Sequence, residues 1–197
     1  SVGRVWLKSV IGSARPPGEL YGARPAAIEK HPLAEMEPTN TTPQGGVPGP
    51  WIDRLPHFRM EFTPSNGNEL QSEYIVPRRN AVAAIEAIRA LNAQITPLLH
   101  VSELRTMAAD SLWLSGAYET DAVGIHFTWR FEPDAVLAVL PIVEQALAPF
   151  GARPHWGKLF HAVDRSLYPR LGDFVELAER LDPDHKFGNE WLDRHVF

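Results

Sequence analysis

The spacing of apolar residues changes several times along the chain, and each change marks an element. From His57 to Phe62, Phe58, Met60 and Phe62 alternate with His57, Arg59 and Glu61, the period-two pattern of a half-buried strand. Ser65-Asn66-Gly67 is a turn signal. A second strand is expected over about Leu70 to Val76, with Leu70, Ser72, Tyr74 and Val76 on one face. Asn80 suits the N-cap of a helix reaching about Leu91, whose stripe is Val82, Ile85, Ile88 and Leu91. A third strand covers about Leu98 to Met107, and a fourth, Ala122 to Phe131, alternates most cleanly. Pro133 fits the first turn of a helix with Val136, Val139, Leu140, Val143 and Leu147 in phase. Pro141 lies inside that helix and should kink or shorten it. A last helix is expected from about Ser166 to Leu181, through Leu167, Leu171, Phe174, Ala178 and Leu181.

This order of strands and helices predicts an α+β fold, an antiparallel sheet with helices packed on one face. Ahead of it, residues 12–56 hold 9 of the 18 prolines, with many glycines and no sustained period. A long Pro/Gly-rich arm is expected there, since each proline fixes φ and removes a backbone donor. The division expected is an extended arm and domain connection over 1–56 and a folded unit over 57–197. The chain ends on Trp191, Leu192, Val196 and Phe197, an apolar tail that needs a packing partner.

Composition narrows the function classes. A net charge of -5 over 197 residues leaves no basic footprint for nucleic acid or for an anionic membrane surface. No apolar run is expected to reach the roughly 20 residues of a membrane span. The absence of cysteine excludes disulfides and thiolate metal sites and fits a reducing, cytoplasmic setting. The eight histidines show no metal-ligand spacing, so no metal is expected. Neither a nucleophile elbow nor a phosphate-cradling glycine loop is present in the sequence.

Alternation within the fourth strand sends Val123, Ile125, Phe127, Trp129 and Phe131 toward the helices and Gly124, His126, Thr128 and Arg130 the other way. Glu103 and Arg105 share a face of the third strand. If the two strands are neighbours, the non-helical face gathers a carboxylate, a guanidinium, an imidazole and a hydroxyl. A plain reading makes this face a solvated surface, with Glu103 and Arg105 an ion pair worth at most ~1 kcal/mol. Gly124 in mid-strand argues otherwise, because such a glycine marks close approach of a ligand or another backbone. Arg153-Pro154-His155-Trp156-Gly157-Lys158 offers a second candidate, with Lys158 either a desolvated amine or a snorkelling surface lysine.

The segments Ser102-Glu103-Leu104-Arg105-Thr106, His126-Phe127-Thr128-Trp129 and Arg153 to Lys158 resemble, in order and spacing, those of alditol oxidases. So do Gly46-Val47-Pro48-Gly49-Pro50-Trp51, Phe62-Thr63-Pro64-Ser65 and Glu69-Leu70-Gln71-Ser72-Glu73-Tyr74. The end of the chain, with Tyr168-Pro169-Arg170, Leu181-Asp182-Pro183 and Lys186-Phe187-x-Asn189, is also similar to aldonolactone oxidases of the same vanillyl-alcohol oxidase superfamily.

The resemblance implies a C-terminal substrate-binding (cap) domain. FAD would be held mainly by an N-terminal domain preceding Ser1, covalently through a histidine there, and the C-terminal segment would pack toward that domain. It implies that Glu103, Arg105, His126, Thr128 and Lys158 bind a polyol. His155 and Lys158 would approach the cofactor, and Lys158 or His126 would take the hydroxyl proton. Oxidation of a terminal alcohol of xylitol or sorbitol to an aldehyde would then reduce O2 to hydrogen peroxide. Two other readings stay open: an aldonolactone oxidase or dehydrogenase, and a carbohydrate-binding module without redox activity.

Overall fold

The computed structural model describes residues 4–13, 16–32, 36–62 and 68–197, which form two compact units, Ser1–Gly67 and Asn68–Phe197. In the first unit the described residues hold little regular structure. Short 3-10 turns occur at Pro38–Asn40 and Trp51–Asp53, and Thr41 bridges Phe58. The Gln44 amide ties three segments together, accepting from Trp6 Nε1 (3.1 Å) and Lys30 N (3.0 Å) and donating to the Lys30 carbonyl (2.8 Å). The strand expected from His57 to Phe62 does not form. Only Phe58 pairs, and the chain turns immediately after it because Phe62 N bonds back to Arg59 O. The turn expected at Ser65-Asn66-Gly67 lies outside the described residues.

The second unit is α+β. Strands β1 (Glu69–Pro77), β2 (Leu99–Met107), β3 (Ala122–Arg130) and β4 (Arg153–Pro154) form one antiparallel sheet in the order β2-β3-β1-β4. Helices α1 (Ala81–Ala90), the short α2 (Asn92–Ile95) and α3 (Pro133–Leu147) follow β1 and β3. The core lies between α1, α3 and one sheet face: Tyr74, Val76, Ile125, Phe127 and Trp129 meet Ala84, Val136, Leu140, Val143 and Leu147. Trp129 Nε1, fully buried, donates to Ser72 Oγ at 2.9 Å, which explains a serine among apolar neighbours.

Several expectations change in detail. Val82 is 76% exposed; the buried stripe of α1 instead starts at Ala81 and Ala84, with Ile85 and Ile88 packed beside it. Asn80 makes no side-chain cap and donates to the Phe150 carbonyl at 3.0 Å, tying the start of α1 to the end of α3. Phe131 lies beyond the end of β3 and is exposed. α3 continues through Pro141 to Leu147 without being shortened. With its trailing turn, Pro133–Phe150 reaches the length and apolarity of a membrane span, contrary to expectation, although its Val136-to-Leu147 stripe is buried on the sheet. The last helix is broken: a 3-10 turn, Arg165–Leu167, precedes α4 (Leu171–Leu181), because Pro169 cannot donate within a helix. A final helix, α5 (Glu190–His195), carries Leu192, Val196 and Phe197 onto Tyr168 and Leu171.

Candidate active site

Registration of the strands assembles a polar face opposite the helices. β2 and β3 are neighbours, Glu103 pairs with His126 and Arg105 with Gly124, so these side chains share a face with Thr128. A bulge between Leu99 and Val101 resets β2 and gives this register. On the other side of β3, β1 places Gln71 opposite Thr128 and Glu73 opposite His126.

Lys158 arrives from the β4 edge. After β4 pairs with Tyr74 and Ile75, His155 N donates to the Glu73 carbonyl and Leu159 N to the Gln71 carbonyl, both at 2.9 Å. Between them a tight turn closes with Lys158 N on His155 O (3.1 Å), and Gly157 N donates to His155 Nδ1 (3.1 Å). The imidazole of His155 therefore carries its proton on Nε2, a donor. Trp156 is scaffold: its indole donates to the Leu114 carbonyl at 2.8 Å, and its ring packs on Phe160, Tyr168 and Trp191.

Glu73 is the centre of the arrangement, only 4% exposed. Its Oε2 accepts from Lys158 Nζ at 2.6 Å and from Arg105 Nη1 at 3.3 Å. Arg105 also grips Glu103 Oε2 at 2.9 Å, in a more open part of the face. Lys158 Nζ lies 3.0 Å from His126 Nδ1, and His126 Nε2 lies 3.1 Å from Thr128 Oγ1. His126 is 2% exposed, so its ring sits behind Lys158 and Thr128 with both nitrogens engaged.

Burial alone would raise the Glu73 carboxyl, but His126, Lys158 and Arg105 outweigh it and hold the group at about 2. Lys158 is in hydrogen-bond contact and His126 Nδ1, at 3.6 Å, is not, so the larger share belongs to the lysine. Two carboxylates and two cations thus balance across the face.

Gly124 acquires a specific reason. A Cβ there would stand 2.6 Å from Glu73 Oε1, so the glycine gives room for a neighbouring side chain, not for a ligand or another backbone. The network brings together Glu103, Arg105, His126, Thr128 and Lys158, all expected from the sequence. It adds Glu73, which was not. The signal was available: placing Leu70, Ser72, Tyr74 and Val76 on the core face sends Gln71 and Glu73 to the other. His155 contributes to the turn that carries Lys158 and stands beside the network, outside its hydrogen bonds.

Residues 64–195 match the D-arabinono-1,4-lactone oxidase family. The chain is 47% identical over 192 residues to an alditol oxidase of a Streptomyces species, covering 96% of this chain and 46% of that protein. It is 31% identical over 130 residues to an L-gulono-1,4-lactone dehydrogenase of Mycobacterium tuberculosis, covering 63% of this chain and 30% of that protein. To the L-gulonolactone oxidase of Mus musculus it is 26% identical over 135 residues, covering 62% and 30%. The chain therefore spans less than half the length of these relatives.

Proposed function

This chain belongs to the D-arabinono-1,4-lactone oxidase family, and from that premise we propose that it is the substrate-binding part of an FAD-dependent alditol oxidase. The observation carrying the reading is the hydrogen-bonded face of Glu103, Arg105, Glu73, Lys158, His126 and Thr128, in a chain 47% identical to an alditol oxidase. Its donors and acceptors are mixed in kind and its charges cancel, which suits an uncharged, hydroxyl-rich substrate.

The substrate is a polyol such as xylitol or sorbitol. Arg105 and Glu103, at the open end, take the distal hydroxyls, where a guanidinium fork matches paired oxygens. Thr128 and Lys158 receive the terminal carbinol, orienting its C–H and holding its oxygen. Oxidation removes a hydride from carbon and a proton from oxygen, leaving an aldehyde. A proton bound for the buried His126 passes through Lys158, whose ammonium gives one of its own protons to Nδ1 and takes one from the substrate oxygen.

The donor set fits a flavin at this face, because an ammonium held by a carboxylate suits a ring that gains negative charge on reduction. Lys158 and the Nε2 donor of His155 would hold the ring from this side. FAD, when bound, supplies the hydride acceptor and passes both electrons to O2, giving hydrogen peroxide. Most of its binding, including a covalent histidine link, belongs in this reading to an N-terminal domain outside this chain, against which residues 57–197 form the cap.

A second reading, an aldonolactone oxidase or dehydrogenase, is favoured by the family's own description and by the gulonolactone relatives. Anaerobic flavin reduction by the longer protein, this chain joined to its proposed FAD-binding domain and loaded with flavin, separates the two. Fast reduction by xylitol or sorbitol is expected, and reduction by an aldono-1,4-lactone with no response to polyols would overturn the alditol reading. Carbohydrate binding with no flavin reduction by either would leave the non-catalytic module.

A further inference from the structure

We propose that Glu73 is a positioning residue: its carboxylate anchors Lys158 against His126 and thereby fixes His126 as the Nε2–H tautomer that donates to Thr128. The proposal rests on reading this sheet face as the substrate pocket.

The argument runs from donors and acceptors. Glu73 Oε2 is buried and holds Lys158 Nζ at 2.6 Å. A lysine ammonium has three donors and no acceptor. Its second neighbour, His126 Nδ1 at 3.0 Å, must then be an acceptor and carries no proton. The alternative, an Nδ1–H bonded to Glu73, fails on distance, since Nδ1 stands 3.6 Å from Oε2. The ring proton is consequently on Nε2, directed at Thr128 Oγ1 3.1 Å away. With that lone pair occupied, the Thr128 hydroxyl hydrogen is released to donate elsewhere, toward the substrate oxygen in the proposed function. The same carboxylate meets Arg105 Nη1 at 3.3 Å, so Glu73 links the two ends of the face. Gly124 leaves the space in which the carboxylate lies.

The role of Glu73 is indirect. It is buried behind the cations, and the chemistry reaches it through Lys158.

The test reads the tautomer directly. Ring 15N chemical shifts of His126, in protein labelled on histidine and free of substrate, should show one protonated nitrogen, Nε2, near pH 7. In Glu73→Gln the single tautomer should give way to a mixture, because an amide no longer anchors the ammonium. Lys158→Met should release it as well, which keeps the idea testable if Glu73→Gln does not fold. In the flavin-loaded protein, Glu73→Gln should slow flavin reduction at saturating polyol on the order of 10-fold or more. The same change made in a Lys158→Met background should add little, as expected for residues acting as one unit.

An Nδ1–H tautomer in the unsubstituted protein overturns the proposal. So does an unaltered Nε2–H tautomer in either folded variant. The tautomer measurement contains neither polyol nor flavin turnover. A locked tautomer in a protein indifferent to polyols would therefore reject the substrate reading while leaving Glu73 in its role.

Discussion

A methyl group at position 124 would stand 2.6 Å from Glu73 Oε1 and 3.3 Å from the end of Met107. Glu73 is pinned by two cations, so it cannot swing aside freely. Gly124→Ala is expected to cost about 1–3 kcal/mol in urea unfolding, as overpacking does, and to slow flavin reduction in the same direction as Glu73→Gln. The ionisation of Glu73 gives a second expectation. Its carboxyl sits at about 2 in the folded chain against an ordinary 4.5. A depressed carboxyl contributes stability that is complete above the unfolded value and is lost as pH falls toward the folded one. Unfolding midpoints should thus decline from about pH 4.5 to about pH 2, and Glu73→Gln should lack that part of the decline. Parallel pH curves would mean that Glu73 is not the group responsible. A third expectation separates the ends of the pocket: Lys158→Met should lower kcat and kcat/KM together, on the order of 100-fold. Arg105→Met should chiefly raise KM, its contacts existing already in the ground state. A Lys158→Met protein that reduces flavin at the original rate would make Lys158 structural. Four of these side chains, Glu103, Arg105, His126 and Thr128, were legible because side chains alternate along β2 and β3, and Lys158 stood out in the Arg153–Lys158 segment. The face of Glu73 follows from the same rule in β1, but its pairing does not, since its partners Lys158 and Arg105 are 85 and 32 residues away and no local pattern links them.

Among the elements, α3 is held by more than its apolar stripe. Glu144 Oε1 accepts from the buried Tyr74 hydroxyl at 2.9 Å and from His161 N at 2.6 Å, while Oε2 accepts from Ala162 N at 3.0 Å. Burial and this carboxylate raise Tyr74 well above the ordinary phenol range, so its proton stays on Tyr74 and donates. One side chain joins helix, sheet and the segment just beyond Lys158. Glu144→Leu should cost about 1–3 kcal/mol, chiefly by leaving the buried Tyr74 hydroxyl without its acceptor, and amide exchange at His161 and Ala162 should speed up before global unfolding. Unchanged exchange at both amides would show that the segment is held otherwise. The same element shows why periodicity succeeded where it did. The stripe Val136, Val139, Leu140, Val143 and Leu147 is wholly buried, as its spacing predicts. At α1 the spacing misled: small alanines at 81 and 84 approach the core, a contact that hydrophobic size does not reveal, and Val82 faces out. The strand expected at His57–Phe62 failed for want of a continuous partner, since alternation describes a side-chain pattern and a strand also needs a ladder.

At the scale of the whole molecule, the chain spans 46% of the alditol oxidase it is similar to. Purified alone and mixed with FAD, the 197-residue chain is expected to give no flavin-dependent oxidation of xylitol or sorbitol, because the proposed cofactor site lies mostly beyond it. Turnover under those conditions would refute that division of labour. The sheet order gives the two ends of the polar face unequal support. Glu73 and His126 stand on the inner strands β1 and β3, β3 paired along both sides and β1 along one side and over Tyr74 and Ile75 on the other, whereas Glu103 and Arg105 stand on β2, an outer strand with one neighbour. A substitution on an inner strand disturbs two ladders at once, and on β2 only one. In the proposed function, the architecture would separate a conservative end, where the proton is handled, from a permissive one, where the distal hydroxyls are held. On that reading, divergence or directed evolution of polyol preference would have its least costly route through positions 101 to 107, with Glu73, His126 and Lys158 left standing.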